Sequence, residues 1–559
     1  MKFVMNRVLL ILFFSLLCHA DDVLACTNLI VGKEASADGS VIVSYSADDY
    51  GSFTALNYAP HARHKKGEMR PLYHYESGNY LGEIPQIDET YKVIGHINEY
   101  QLCILETTFG GREELWNGPG IMDYGSLMYV ALERCKTARE AISLITDMCQ
   151  TYGYISEGES FTIADKNEVW IMDLIGKGKD ESGAVWVARR VPDDMICGHA
   201  NHSRIRKFPL NDKKNCIYSK DVISFARKKC YFTGKDADFS FSAAYAPTDF
   251  GAQRFCEARV WSFFNKWAKD DMTPYLKYAM GEDFDPVTKK PLPGIAHEMP
   301  LWVKPKAFLS VQDVKDMMRD HYEGTPMDIT TGLGAGAYGM PYRPTPLQYE
   351  VDGKSYFNER PISTQQTSAV YVAQLRSWLP DYEGGILWFG NDDANMIAFV
   401  PIYCCTNEVP ECFSRKLANA FTFSFKNAYW MCNWVSNMVY YRYNTLFPEL
   451  AAVRDRLERD FTTMNLLVEK DVEGMNADEA TRFLSDYSHR MSGMMTDEWM
   501  QLAQRLIVKY NDMVVKKTDS TGNYMKTPGG EPERVIRPGY PAEYNRAVIR
   551  ESGDKYLMR

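Results

Sequence analysis

Cys26 is the residue whose surroundings offer the clearest chemistry in this 559-residue chain. It follows a leader-like N-terminus, and removal of everything up to Ala25 makes Cys26 the first residue of the mature protein. A thiol and a free α-amino group then share one residue, a compact nucleophile-plus-base unit that needs no histidine. An α-amino group with a pKa of about 7.7–8.0 exchanges a proton with the thiol near neutrality. The precursor is inactive on this reading, because an amide nitrogen cannot act as a base. Two other readings of Cys26 stand beside it. It is a structural cysteine, or Val23-Leu24-Ala25-Cys26 is a loose lipobox, in which case lipidation consumes the thiol. Against the lipobox, Asp21 and Asp22 separate Cys26 from the apolar run. Other spacings carry less. His199 and His202 have no third ligand nearby. Gly334 to Gly339 matches G-x-G-x-x-G, but Pro341 and Pro344 follow, so no helix opens there to receive a nucleotide. Cys404, Cys405 and Cys412 lack a second pair at zinc spacing and read as buried thiols or a local disulfide. No metal or organic cofactor is expected.

The elements that must position Cys26 are a strand pair. Residues 27–32 are short, apolar and β-prone, residues 33–40 carry turn chemistry at Asp38-Gly39, and residues 41–46 are β-prone again. Such a hairpin holds Cys26 at a strand end and brings Asp48 back near it. Residues 91–105 read as two strands around a turn at Asn98-Glu99, with Glu106-Thr107-Thr108 at the end of the second. The capping box from Thr137 to Glu140 opens a helix to about Tyr152, with Ala138, Ile142, Ile145 and Cys149 on one face. Residues 161–164 and 168–174 flank a turn at 165–167, and residues 185–191 form a further strand. Strand pairs with intervening helices predict a layered α+β protein. Residues 270–305 read as a long surface loop. Beyond residue 405 the chain is helical: one aromatic-rich helix over 414–443, and another from the capping box Asn476 to Glu479 to about residue 516. Residues 517–559 form a tail that is poorly ordered or draped on the surface.

The chain is long enough for a large core. Its net charge of −10 argues against a nucleic-acid-binding surface. Residues 1–20 read as a secretory signal peptide: Lys2 and Arg7, a short apolar run, then Cys18-His19-Ala20 as cleavage site. Residues 21–25 remain as a candidate prosegment. No later stretch is long and apolar enough to span a membrane. The expected location is the periplasm or the cell exterior, with a lipid anchor if Cys26 is lipidated. Of 13 cysteines, 12 follow the leader. With Cys26 set aside the remainder is odd, so at least one has no partner within the chain.

Cys26-Thr27, Val31-Gly32-Lys33, Asp38-Gly39-Ser40 and Asp48 resemble the opening of the PepD-like dipeptidases. These are N-terminal-nucleophile (Ntn) cysteine hydrolases related to secernins and, more distantly, to bile salt hydrolases and penicillin V acylases. The likeness continues through a turn ending at Gln101, where the family has Gly, through residues 321–326 and 374–388, and through residues 401–403. The resemblance implies a four-layer αββα sandwich over 26–405, with a helical extension over 406–516. It makes Asp48 the partner of the nucleophile's amino group and Asn201 a support for the oxyanion; as turn residues both have a bland alternative. Thr107 and Thr108 sit where more distant relatives place another oxyanion-hole residue. Arg254 and Arg259 fall in a segment that places an arginine near the nucleophile, with Arg254 favoured and a helix-surface ion pair as the alternative. Three residues before Asp48 the family commonly carries Arg; here Tyr45 stands. The resemblance thus implies an exported cysteine-type dipeptidase acting through a thioester, with a dipeptide or small amide as its partner and a homo-oligomer left open. The alternatives are an acylase for bile salts or other N-acyl amides on the same fold, and a non-catalytic binding lipoprotein.

Overall fold

The computed structural model describes residues 26–285, 288, 290–344 and 346–559. The expected signal peptide and prosegment lie outside these. Two antiparallel sheets dominate. The first runs Trp302–Val303, Ile196–His199, Thr27–Val31, Val41–Asp48, Thr367–Leu375, Gly385–Asn391, Val400–Tyr403. The second runs Cys216–Tyr218, Ala184–Arg190, Val169–Gly176, Gly158–Ala164, Cys103–Gly110, Ile97–Asn98, Val93–Ile94, Tyr58–Ala59.

Alternation along the second sheet decides what packs where. Cys103 and Leu105, with Val169, Ile171 and Ile175, join the core shared with the first sheet. Ile104, Trp170, Met172 and Leu174 point the other way, into a separate core under two helices, Tyr124–Arg134 and Ala138–Tyr152. A period of two with both rows apolar is what a sheet covered on both faces requires. The second helix starts at the expected capping box, with Glu140 N–H bonded to the Thr137 hydroxyl and the Glu140 carboxylate returned to Thr137 N–H. On the first sheet, Ala258–Trp267 packs against Thr27–Val31 and Ile196–His199, and Val311–Met317 against Val41–Asp48 and Thr367–Leu375.

The C-terminal region differs from the sequence reading in two places, one of them the helix from the Asn476 capping box, which ends at Tyr510 rather than near residue 516. Residues 414–443 do not form one helix: Ala428–Tyr440 does, capped by the Asn427 side chain, and Tyr443–Val472 follows as a second helix of 30 residues. Phe421, Phe423 and Phe425 alternate at a period of two and are exposed, a spacing that cannot form a helical stripe. Leu446, Leu450, Val453, Leu457 and Phe461 are the buried stripe of the helix that the sequence reading missed. Ala477–Tyr510 begins at the expected Asn476 capping box. These helices share the core of the first sheet. The tail beyond is exposed, with a short Val515–Lys516/Val535–Ile536 ladder and a helix, Ala542–Ser552, that buries nothing. All twelve described cysteines are free thiols, including Cys404, Cys405 and Cys412.

The helical region is tied to the sheets by a buried charge. Glu458 accepts from Arg319 at 2.5 Å, from the Phe399 N–H at 2.9 Å and from Gln312 at 3.0 Å. Burial alone would raise this carboxyl; the Arg319 and Lys315 charges and these hydrogen bonds outweigh it and hold it at about 2. A carboxyl held below its unfolded value stabilises above that value and loses the contribution as pH falls toward 2. Glu458→Gln leaves the buried Arg319 with only the half-exposed Asp316, at 2.9 Å, as counter-charge, and is expected to cost about 3 kcal/mol at neutral pH. In denaturant unfolding the gap between variant and parent should close as pH falls below the unfolded carboxyl pKa of about 4.3.

Candidate active site

Register fixes the position of Cys26. Thr27 lies opposite Ser46 and Asn28 opposite Tyr45 in the Thr27–Val31/Val41–Asp48 hairpin. One step further, Cys26 falls beside Ala47, with Asp48 at the same end of the sheet. The connecting turn has the expected chemistry: the Asp38 carboxylate accepts from Ser40 N–H at 3.0 Å and from its hydroxyl at 2.6 Å, and Gly39 has φ of 85°. Gly32 is required by packing, since a Cβ there would lie 2.3 Å from the Asp193 carbonyl oxygen.

The Cys26 thiol is buried and faces two oxygens. Sγ lies 3.6 Å from Tyr45 Oη and 3.9 Å from Glu106 Oε1, and Tyr45 Oη donates to the same Glu106 oxygen at 2.8 Å. Asn28 Nδ2 donates to the Glu106 carbonyl at 2.8 Å and fixes the strand that carries it. Burial, then the Glu106 and Asp48 charges, push the thiol well above its ordinary value; the Asp48 backbone N–H and the Tyr45 hydroxyl oppose them only in part. Burial raises Glu106 itself to about 7, and raises its neighbour Glu159. The resting thiol is neutral.

Asp48 is held rigidly. Its carboxylate accepts from Arg360 at 2.5 Å, from the Thr367 hydroxyl at 2.6 Å and from the Ser46 hydroxyl at 3.1 Å. Asn201 has a left-handed backbone, φ 56°. Its Nδ2 donates to the Thr108 carbonyl at 2.7 Å, and its Oδ1 accepts from Arg259 at 2.9 Å. Arg259 also donates to the Cys26 carbonyl at 2.6 Å and to the Thr27 hydroxyl at 2.7 Å. The arginine at Cys26 is therefore Arg259 rather than Arg254. Arg254 lies in a π-helical turn, Ala252–Glu257, that leads into Ala258–Trp267, and it points to Glu359 with its guanidinium over Phe357. Thr107 is turned inward as well: its hydroxyl and that of Thr162 each lie 2.7 Å from a ring nitrogen of His199. Burial and the nearby Arg204 push His199 down to about 3, so it is a neutral ring wedged between two hydroxyls. Thr108 contributes its carbonyl to Asn201 and its hydroxyl to Glu159 at 2.8 Å.

The geometry gathers Cys26, Asp48 and Asn201 and adds Tyr45, Glu106, Arg259 and Arg360. Glu106 carried a signal in the sequence, a lone carboxylate directly after the apolar residues 102–105. Arg360 carried none, because its partner Asp48 is 312 residues away. Cys26, Tyr45, Asp48 and Glu106 lie on the wall of a cleft of about 690 Å³. Tyr75, Tyr124, Tyr129, Tyr371 and His96 make much of it aromatic. A buried thiol at the base of a cleft, beside hydrogen-bonded carboxyls and an arginine, is equipped for nucleophilic attack once a base takes its proton.

The model of Peptidase family C69 matches residues 25–455, from the edge of the cysteine into the Tyr443–Val472 helix. The chain is similar to a probable dipeptidase of Latilactobacillus sakei, 24% identical over 509 residues that cover 87% of this chain and 95% of the relative. It is likewise similar to a probable dipeptidase of Salmonella dublin, 26% identical over 406 residues covering 68% and 81%. A probable dipeptidase A of Streptococcus pyogenes serotype M1 is 25% identical over 447 residues covering 75% and 83%. With the match spanning both sheets and the hairpin that carries Cys26, the chain belongs to peptidase family C69.

Proposed function

We propose that the chain is an exported cysteine-type Ntn hydrolase that cleaves dipeptides with Cys26 as nucleophile. The observation that carries this is the place of Cys26, its thiol at the base of the cleft in a chain of a peptidase family whose relatives are named dipeptidases. Two packed antiparallel sheets with helices on their outer faces support the reading as an Ntn αββα sandwich.

The proposed reaction begins with scission of the Ala25–Cys26 peptide bond, which frees the α-amine. The amine takes the thiol proton and the sulfur attacks the scissile carbonyl. Asn201 supports the resulting oxyanion. The amine returns the proton to the leaving nitrogen, the C–N bond breaks, and a thioester remains. Water, deprotonated by the same amine, hydrolyses it. Asp48, held by Arg360 and Thr367, orients the amine and stabilises its charged form. Arg259 is a positioning residue, bracing the Cys26 carbonyl and Asn201 together. The raised thiol pKa supports a latent precursor: before an amine is made, the carboxylate oxygen facing the thiol is Glu106 Oε1, 3.9 Å from the sulfur and already taken by the Tyr45 hydroxyl. Burial of the thiol inside the site weighs against a lipid anchor on Cys26, which would have to leave it.

The protein recovered from its native host should begin at Cys26 with a free amine by intact mass and N-terminal sequencing; an acylated Cys26 would overturn the reading. Cys26→Ala should lower dipeptide hydrolysis on the order of 10³-fold or more, and release of acid from N-acyl amides without dipeptide cleavage would favour an acylase instead.

Glu106 sets a pH dependence. Its folded value of about 7 lies above the ordinary 4.5. Between the two, the folded protein holds a proton that the unfolded chain has released, so stability falls as pH rises through that window. Glu106→Gln should therefore melt higher than the parent at about pH 8 and level with it at about pH 4, read by thermal scans.

A further inference from the structure

Glu106 and Glu159 form a carboxyl pair that no cation among the described residues neutralises. They sit on adjacent antiparallel strands, Thr108 opposite Glu159 and Glu106 two residues before it on the same face. One oxygen of each is used: Glu106 Oε1 by Tyr45 and the thiol, Glu159 Oε1 by the Thr108 hydroxyl. The second oxygens, Glu106 Oε2 and Glu159 Oε2, receive no hydrogen bond from any third residue among the described residues, although the two are only 3% and 1% exposed; the carboxyl groups hydrogen-bond each other, which takes a proton held between them. Buried carboxylates ordinarily have a cation or several donors. Asp48, the other buried carboxylate on the cleft wall, has Arg360. Arg70, on the cleft wall, is committed to Glu133 at 2.7 Å. Among the described residues, no lysine or arginine forms an ion pair with Glu106 or Glu159.

Glu106 lines the cleft beside the nucleophile. We propose that Glu106, backed by Glu159, is the subsite for the substrate's α-ammonium group, which confines the enzyme to substrates with a free amino terminus. This rests on the reading of Cys26 as the nucleophile.

The distances select the α-ammonium over a side-chain cation. Two bonds separate an α-nitrogen from the scissile carbonyl carbon, a span of roughly 2.5 Å. With that carbon at a near-attack distance of about 3–3.5 Å from the sulfur, an α-ammonium falls within hydrogen-bond reach of a carboxylate that lies 3.9 Å from the same sulfur. The ammonium of a lysine side chain would lie several bonds further off. An ammonium brings three donors for the unfilled carboxylate oxygens, and the tyrosine rings on the same wall, Tyr45, Tyr75 and Tyr124, suit a cation. Docking it also offsets the Glu106 charge, which after burial is the largest cause holding the proton on the thiol, so the correct substrate promotes formation of its own nucleophile.

The test compares two reagents that alkylate the thiol by displacement of chloride: alanine chloromethyl ketone and its N-acetyl derivative. Labelling of Cys26 in the mature full chain is followed by intact mass. The free-amine reagent should react at least about 10-fold faster, the order expected for one charge-assisted hydrogen bond lost by acetylation. The ratio should fall toward one in Glu106→Gln and decline in Glu159→Gln. Taking a ratio cancels any general change in thiol reactivity. Equal rates in the parent protein, or a ratio unchanged in both variants, would overturn the proposal. A strong preference for the free amine in a protein that cleaves no dipeptide would uphold the ammonium subsite and remove the peptidase reading instead.

Discussion

A buried carboxylate must be paired, hydrogen-bonded or protonated, and two of them, Asp48 and Glu106, face the thiol of Cys26, with Glu159 behind Glu106. Asp48, Glu106 and Glu159 are each at most 3% exposed. The structure meets the constraint in two ways. Asp48 has a permanent counter-charge, because Arg360 and two hydroxyls surround it. The Glu106–Glu159 pair has hydroxyl donors but no cation, and burial raises both carboxyls so that a proton is retained near neutral pH. Asp48 is locked in place by its counter-charge, and the Glu106–Glu159 pair beside it is left without a cation among the described residues. A site assembled only to lower a cysteine pKa would have placed cations here.

The scaffold explains how such a cluster survives folding. Asp48 ends a strand whose neighbour carries Thr367, and the Arg360 that neutralises it precedes that neighbour in the chain. Glu106 and Glu159 lie on strands of the opposing sheet, so the thiol is trapped where the two sheets meet. Each of these carboxyls is held by contacts distant in sequence, and so the site depends on the whole sandwich. The C-terminal helices obey the same rule: Glu458 reaches Arg319 and the Phe399 N–H across the first sheet. Both clusters place a carboxylate from one layer against donors from another.

What the sequence discloses follows from how local each cause is. The Cys26 hairpin, the Thr137 and Asn476 capping boxes and the hairpin at residues 165–167 are written in contiguous residues, and the structure forms them. The turn after residue 98 is written less plainly. Gln101 adopts φ of 66°, a left-handed conformation in which glycine would be at ease, and its side chain offsets the strain by bonding Arg376 N–H and carbonyl. The Tyr443–Val472 helix was readable from its Leu446-to-Phe461 stripe but was obscured by the aromatic residues before it, where hydrophobicity without helical period suggested one longer element. Arg254 and Arg259 could not be separated by type or by spacing alone, since both lie on one helical run; only the rotation between them decides which meets Cys26. Arg360 and the Glu106–Glu159 pair arise from contacts across strands and layers, for which a single sequence has no local mark.

On the proposed reading, the two kinds of carboxylate answer two separate events. Scission before Cys26 creates a positive charge once in the life of the molecule, and an Asp48 locked by Arg360 and two hydroxyls suits a partner that never leaves. Substrate arrives and departs at every turnover, and a pair able to hold either a proton or an ammonium suits a partner that does. A guanidinium in place of the Tyr45 hydroxyl would neutralise Glu106 permanently and erase that distinction. Tyrosine instead donates one hydrogen bond, orients the carboxyl and leaves its charge uncompensated. The selectivity of the site for cations then depends on a residue that carries no charge itself.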